Sequence, residues 1–118
     1  MENQKENAVY KLNFDCGRQG NLEGLFIAKK NHVKWLIENE FEIYFGEVLG
    51  KHSEVYGTID ESEITFVSDD LNVIDVIKKH GLENGYDPFD YSVINAERED
   101  FQDLELSAIM VILDKENN

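Results

Sequence analysis

The most constraining stretch of this chain lies near its start. Over residues 8–16 apolar and polar side chains alternate: Tyr10, Leu12, Phe14 and Cys16 share one face, and Lys11, Asn13 and Asp15 share the other. A period of two sustained over nine residues is that of a half-buried strand, because successive side chains of an extended chain point to opposite faces. Residues 17–21, with Gly17 and Gly20, form a turn, and residues 22–28 resume as a second strand. Strands joined by so short a connection run antiparallel. A lone hairpin is marginal in water, so the rest of the chain must supply the layer that covers its apolar face.

The remaining pattern supplies such elements. Asn31 stands where it could cap a helix over residues 33–39, with Val33, Leu36 and Ile37 on one stripe. Residues 41–48 alternate again and align Phe41, Ile43 and Phe45. Gly50 and Lys51 suit a tight turn. Residues 53–59 return as a strand with Val55 and Ile59 on one face and Tyr56 on the other. After a turn at Asp60 and Glu61, residues 63–67 make a further short strand. Asp69 or Asp70 caps a second helix that runs to about His80 on a stripe of Leu71, Ile74 and Ile77. Lys78, Lys79 and His80 suit its negative end, and Gly81 follows it. Residues 85–89 form a loop holding the only proline. The apolar run 104–113 is read as a strand. Its alternative is a helix, because Leu106, Ile109, Met110 and Leu113 also fit a period of 3.6.

The order is therefore ββαβββα plus a C-terminal strand. It predicts an α+β fold on an antiparallel sheet of about five to six strands with two helices. At 118 residues the chain is one domain, 1–118, with a flexible start at 1–7 and a C-terminal extension at 92–118. The run 106–113 is too apolar for an exposed edge, which makes the extension a candidate oligomer interface and a homo-oligomer the expectation.

Charge narrows the function. The chain carries 25 acidic against 11 basic residues, a net charge of -14. Residues 1–59 hold 7 basic and 9 acidic side chains, a net of -2; residues 60–118 hold 4 and 16, a net of -12. Nucleic acid is an unsuitable partner, since that affinity comes mainly from lysine and arginine at phosphates, and anionic membranes are unsuitable for the same reason. No apolar run approaches the roughly 20 residues of a membrane span, and the polar residues 1–7 do not read as a signal peptide. A single cysteine, Cys16, fits a reducing, cytoplasmic setting and reads as a small core residue. The acidic surplus serves solubility in the plainer reading and an acidic docking face in the sharper one.

Catalytic and metal motifs are missing. Gly17, Gly20 and Gly24 lie between strands, where a dinucleotide fingerprint requires a helix to follow. His32, His52 and His80 form no helical i+3 or i+4 pair, so no metal site and no cofactor are expected. His52-Ser53-Glu54 has the H-x-E spacing of zinc deaminases but lacks their paired cysteines.

Three segments look like binding material. In residues 15–24, Arg18 beside Gly20 could pair a guanidinium fork with outward backbone amides, a suitable anion clamp. Residues 45–57 crowd Glu47, Lys51, His52, Ser53, Glu54 and Tyr56 around three glycines, the mixture of polar groups and aromatic wall found in ligand pockets. Tyr86 and Phe89 lie in an aromatic loop that could cover such a pocket. The plainer readings are an ordinary hairpin, a bulged hairpin and a surface loop.

Residues 17–26 (G-R-Q-G-N-L-E-G-L-F) followed by 45–57 (F-G-E-V-L-G-K-H-S-E-V-Y-G) and 85–91 (G-Y-D-P-F-D-Y) carry a resemblance. It covers about residues 8–91, and in it the chain resembles a group of short acidic proteins of phages and prophages of low-GC Gram-positive bacteria. The resemblance implies a phage accessory protein in the cytoplasm of the infected host. Proteins of this kind counter host defence, and one class sequesters nucleotide immune signals such as cyclic ADP-ribose variants. The expected function is thus a non-catalytic protein that sequesters a small nucleotide-derived signal. One alternative is an acidic inhibitor that masks a basic surface of a host defence protein. A second is a small nucleotide hydrolase using His52 and Glu54.

Overall fold

The structure, a computed structural model, describes residues 6–49 and 54–117. The hairpin forms as its alternation requires. Strand β1 (Asn7–Asp15) pairs with β2 (Asn21–Lys29) in unbroken antiparallel register, from Asn7 opposite Lys29 to Asp15 opposite Asn21. A single 3-10 turn over Gly17–Gln19 joins them, closed by the Cys16 amide donating to the Gly20 carbonyl at 2.9 Å.

Helix α1 (Lys30–Glu38) follows β2 without a break. Asn31 is therefore inside the first turn and caps nothing. The Lys30 amide is satisfied instead by the Glu6 carbonyl at 2.8 Å, so the neighbouring strand does the work of a cap. Val33 and Leu36 face the core. The next elements are β3 (Glu42–Gly46), β4 (Val55–Thr58), a 3-10 turn over Glu61–Glu63 and β5 (Ile64–Ser68). Helix α2 (Leu71–Lys79) starts at Asp70, whose carboxylate accepts the Asn72 amide at 2.8 Å. Ile74 and Ile77 are buried as expected. Leu71 is half exposed, because the first helical residue lies beyond the sheet that the other two cover.

Two strands escaped the sequence reading. They are β6 (Asn84–Gly85) and β7 (Ser92–Ile94), too short to show a period. The last element corrects a strand to a helix, α3 (Leu106–Glu116). Leu106, Ile109 and Met110 are buried while Ser107 and Val111 are exposed. A strand would have buried 107, 109 and 111 together, so the helical period wins.

The fold is α+β on antiparallel sheets, but among the described residues seven strands form two sheets and there are three α-helices. One sheet has the order β5-β1-β2-β6 and the other β4-β3-β7. Their inner faces share one apolar core with α1 and α3, including Tyr10, Leu12, Phe14, Phe26, Ile43, Phe45, Val93 and Ile109. Burying the three core side chains of α3 contributes roughly 5–8 kcal/mol of transfer free energy before chain entropy is set against it. On the outer face of the first sheet, α2 covers only Val9, Leu25 and Ile27 with Ile74 and Ile77. Helices α1 and α3 are tied together: His32 Nε2 lies 2.9 Å from the Asp114 carboxylate on α3, and the His32 ring stacks on Trp35 at 5.7 Å. Among the described residues, no helix is long and apolar enough to cross a membrane.

Candidate functional site

The three candidate segments lie far apart in sequence. Phe14, at the end of β1, packs on Phe45 at the end of β3, with ring centroids 5.6 Å apart. Phe45 packs on Tyr91 at 4.8 Å, and Tyr91 on Tyr86 at 6.5 Å. Gly57 in β4 presses against the Phe14 ring, where a Cβ would sit 3.0 Å from its tip. One row of four rings thus joins the first hairpin turn, the β3–β4 connection and the Tyr86 loop at one end of the molecule. Phe14 and Phe45 are its buried half, and Tyr86 and Tyr91 are the half nearer solvent.

The local backbone explains several glycines. Gly46 has φ +82° at a bulge in the β3–β4 ladder, where the register slips between Tyr44 and Gly46. Gly24 and Gly85 lie where two backbones touch. The Tyr86 amide donates to the Glu23 carbonyl at 3.0 Å, and a Cβ on Gly24 would stand 2.6 Å from the Tyr86 nitrogen. The close packing of β2 against β6 therefore fixes the position of Tyr86.

The predicted residues are arranged unevenly around this row. Arg18 is exposed at the hairpin turn, and no ion pair holds it among the described residues. The amides beside it are largely used: Gly17 donates to the Asp15 carboxylate at 2.8 Å, and Gly20 to the Gly17 carbonyl at 3.1 Å. Glu54 accepts a hydrogen bond from the Tyr44 hydroxyl at 3.1 Å. That bond, with Glu47 also near, pushes the Tyr44 phenol above its ordinary pKa. Tyr44 and Tyr56 pair across β3 and β4 on the outer face of their sheet, with Tyr56 more than half exposed. Lys51, His52 and Ser53 lie outside the described residues. Phe89 is in the core, packed between Phe26 at 6.1 Å and His32 at 6.3 Å, so it is not free to stack on a ligand.

Sequence reasoning placed Asp87 in the candidate loop 86–89 without giving it a role, and missed Tyr91. Asp87 accepts the Phe89 amide at 3.0 Å and is half-buried. Burial, with Asp90 and Glu83 nearby, pushes its carboxyl up to about 6. Burial also raises the Tyr91 phenol, aided by Tyr86, Asp90 and Asp87. The sequence signal was the D-P-F-D-Y string itself, in which an aspartate before proline caps a short turn and an aromatic follows it.

A second region was also unforeseen. A cleft of about 520 Å³ opens between the C-terminal end of α1, β3, β7 and the loop after β7. Its floor is Phe41, Val93 and Phe101, and its rim includes Glu40, Glu42, Asn95 and Glu97. Glu40 (φ +50°) and Asn95 (φ +54°) both stand in the left-handed region. Asn95 donates to Glu42 at 2.6 Å. Arg98 lies flat over Phe101 at 4.1 Å, with its guanidinium bound by Asp100 at 2.8 Å and Glu116 at 2.9 Å. Those hydrogen bonds hold both carboxyls below their usual range. With its guanidinium so engaged, the cleft suits hydroxyls or amines better than phosphate.

Among the described residues, no three histidine, cysteine, aspartate or glutamate side chains are grouped as a metal ion would need. No protein family, curated protein or solved structure matches this chain.

Proposed function

We propose that this chain is a non-catalytic binding protein of phage origin that sequesters a small nucleotide-derived signal in the infected cell. The observation that carries the proposal is the row Phe14–Phe45–Tyr91–Tyr86, which brings together segments separated by some seventy residues of chain. Tyr86 and Tyr91 offer faces for a base, worth roughly 1–3 kcal/mol for each stacked ring. Arg18, which no ion pair holds among the described residues, offers a guanidinium for a phosphate, and Asp87 offers an acceptor for ribose hydroxyls. Arg18 lies in the first 59 residues, which carry a net of -2, while Asp87, Asp90 and Glu83 near the tyrosines oppose a phosphate there, so the phosphate belongs at the Arg18 end.

The test uses cyclic ADP-ribose as the probe and the full-length protein. At a hundredfold excess over Kd, binding should stabilise the fold by about 2.7 kcal/mol, read as a rise in melting temperature. Arg18→Ala should remove the rise while melting like the parent without probe, and Tyr86→Ala, which also loses its packing on Tyr91, should remove the rise from a lower starting point. The probe should return unchanged when the complex is heated. A converted probe would favour the hydrolase, and the absence of any rise would end the proposal for this ligand.

A further inference from the structure

Most strand edges of this molecule are blunted in ways that natural sheets use to avoid unwanted pairing. β6 is two residues long. The free side of β7 is covered by the chain at 103–106: Asp103 donates to the Val93 carbonyl at 2.8 Å, Val93 to Leu104 at 2.9 Å and Leu106 to Tyr91 at 2.8 Å. β4 is four residues long and faces a bulge at its first residue.

β5 differs. It forms one outer edge of the four-stranded sheet and, among the described residues, pairs only with β1. Its sequence, Ile-Thr-Phe-Val-Ser, is rich in strand-forming residues and holds no charge and no proline. Phe66 is 50% exposed and Val67 45%, and Leu71 just beyond is 50% exposed. A register slip between Val9 and Tyr10 leaves Val67 without a directly opposed residue on β1. An uncharged edge with apolar side chains open to water is a template for another extended chain.

Charge selects the occupant. Residues 60–75 hold six carboxylates (Asp60, Glu61, Glu63, Asp69, Asp70 and Asp75) and no basic residue. The nearest cations are Lys11 on β1 and Lys30, which sits over the Phe66 ring at 5.8 Å and pairs with Asp69 at 2.6 Å. A second copy of this chain is a poor occupant. Antiparallel pairing would set Glu61 and Glu63 of one copy against Asp69 and Asp70 of the other, and parallel pairing would set like residue against like. An apolar extended segment with cations at both ends matches the edge throughout.

We propose that β5 is a docking edge for an extended, lysine- or arginine-flanked segment of another protein, which adds to the sheet as a fifth strand. The surface is separate from the ring row, since Tyr86 adjoins β6 at the opposite edge. The probes are two labelled peptides with the same alternating valine–threonine centre of five residues, one with two lysines at each end and one with two glutamates. Anisotropy with the full-length protein should show the lysine peptide binding at least roughly tenfold more tightly, as four flanking charge reversals at an exposed edge allow. Its binding should weaken as salt rises. Amides of residues 64–68 should gain protection from hydrogen exchange in that complex. Val67→Lys, at an exposed site, should weaken the lysine peptide about tenfold and leave the unfolding midpoint unchanged. Equal binding of both peptides, no binding of the lysine peptide, protection at another edge, or a dimer of the protein alone that protects 64–68 would each overturn the proposal.

Discussion

Gly24→Ala is the sharpest probe of how the candidate site is held. The Cβ introduced there would overlap the Tyr86 carbonyl and stand 2.6 Å from its nitrogen, and both atoms are backbone. No rotamer change can relieve such an overlap, so β2 and the chain at 84–86 must part. Parting gives up the Tyr86 amide bond to Glu23 and the pairing of Gly24 with Gly85 and Leu25 with Asn84. Two or three exposed hydrogen bonds at about 1 kcal/mol each, or a comparable strain if the contact persists, give a loss of about 3 kcal/mol. For a chain of this size that lowers the melting temperature by roughly 12 °C. Gly81→Ala is the control. Gly81 has φ +61° but nothing within 4 Å of its added Cβ, so only the backbone conformation is penalised, by about 1–2 kcal/mol. Urea unfolding of both variants separates the two effects, and Gly24→Ala should also abolish the probe-induced stabilisation by releasing Tyr86. A Gly24→Ala protein no less stable than Gly81→Ala would refute the close approach of β2 and Tyr86.

Two further outcomes are expected. The Asp87 carboxyl titrates near 6 in the fold against 3.8 ordinarily, so the native state keeps a proton that the unfolded chain has released. Its contribution to stability is complete below about pH 4 and is lost as pH rises through 6. Asp87→Asn keeps the acceptor for the Phe89 amide, and should raise stability at pH 7.5 by on the order of 1 kcal/mol after solvent screening, with no gain at pH 4 in matched thermal melts. Glu40→Gly should stabilise by about 1 kcal/mol, because Glu40 follows α1 in the left-handed region that glycine occupies without strain; an unchanged or lower melting temperature would show that its φ costs nothing.

The legible parts of this fold were those with a repeated pattern and a chemical stop. The β1–β2 hairpin showed alternation over Tyr10–Cys16 and a glycine turn, and α2 showed its aspartate cap and terminal glycine. The Asn31 cap failed because β2 runs straight into α1 and a neighbouring carbonyl takes the amide. Residues 104–113 were ambiguous because an all-apolar run fits both periods, and only the exposure of Ser107 and Val111 separates them. The site was legible as segments but not as an assembly. Glycines marked the turns and close approaches, yet nothing local distinguishes Phe89, which fills the core, from Tyr91, which joins the ring row. The cleft beneath Glu40 and Asn95 draws its wall from residues 39–42, 58 and 93–101, and its backbone angles leave no trace in residue type.

The contact between α1 and α3 has a practical consequence. Trp35 is the only tryptophan, and it leans on His32, which Asp114 holds from α3. Intrinsic fluorescence is therefore a local gauge of whether the last helix is seated. If α3 detaches before the sheets melt, the indole emission should shift at a lower denaturant concentration than the far-ultraviolet circular dichroism of the strands. The separation of the two transitions would measure the free energy that fastens the C-terminal helix to the rest of the fold.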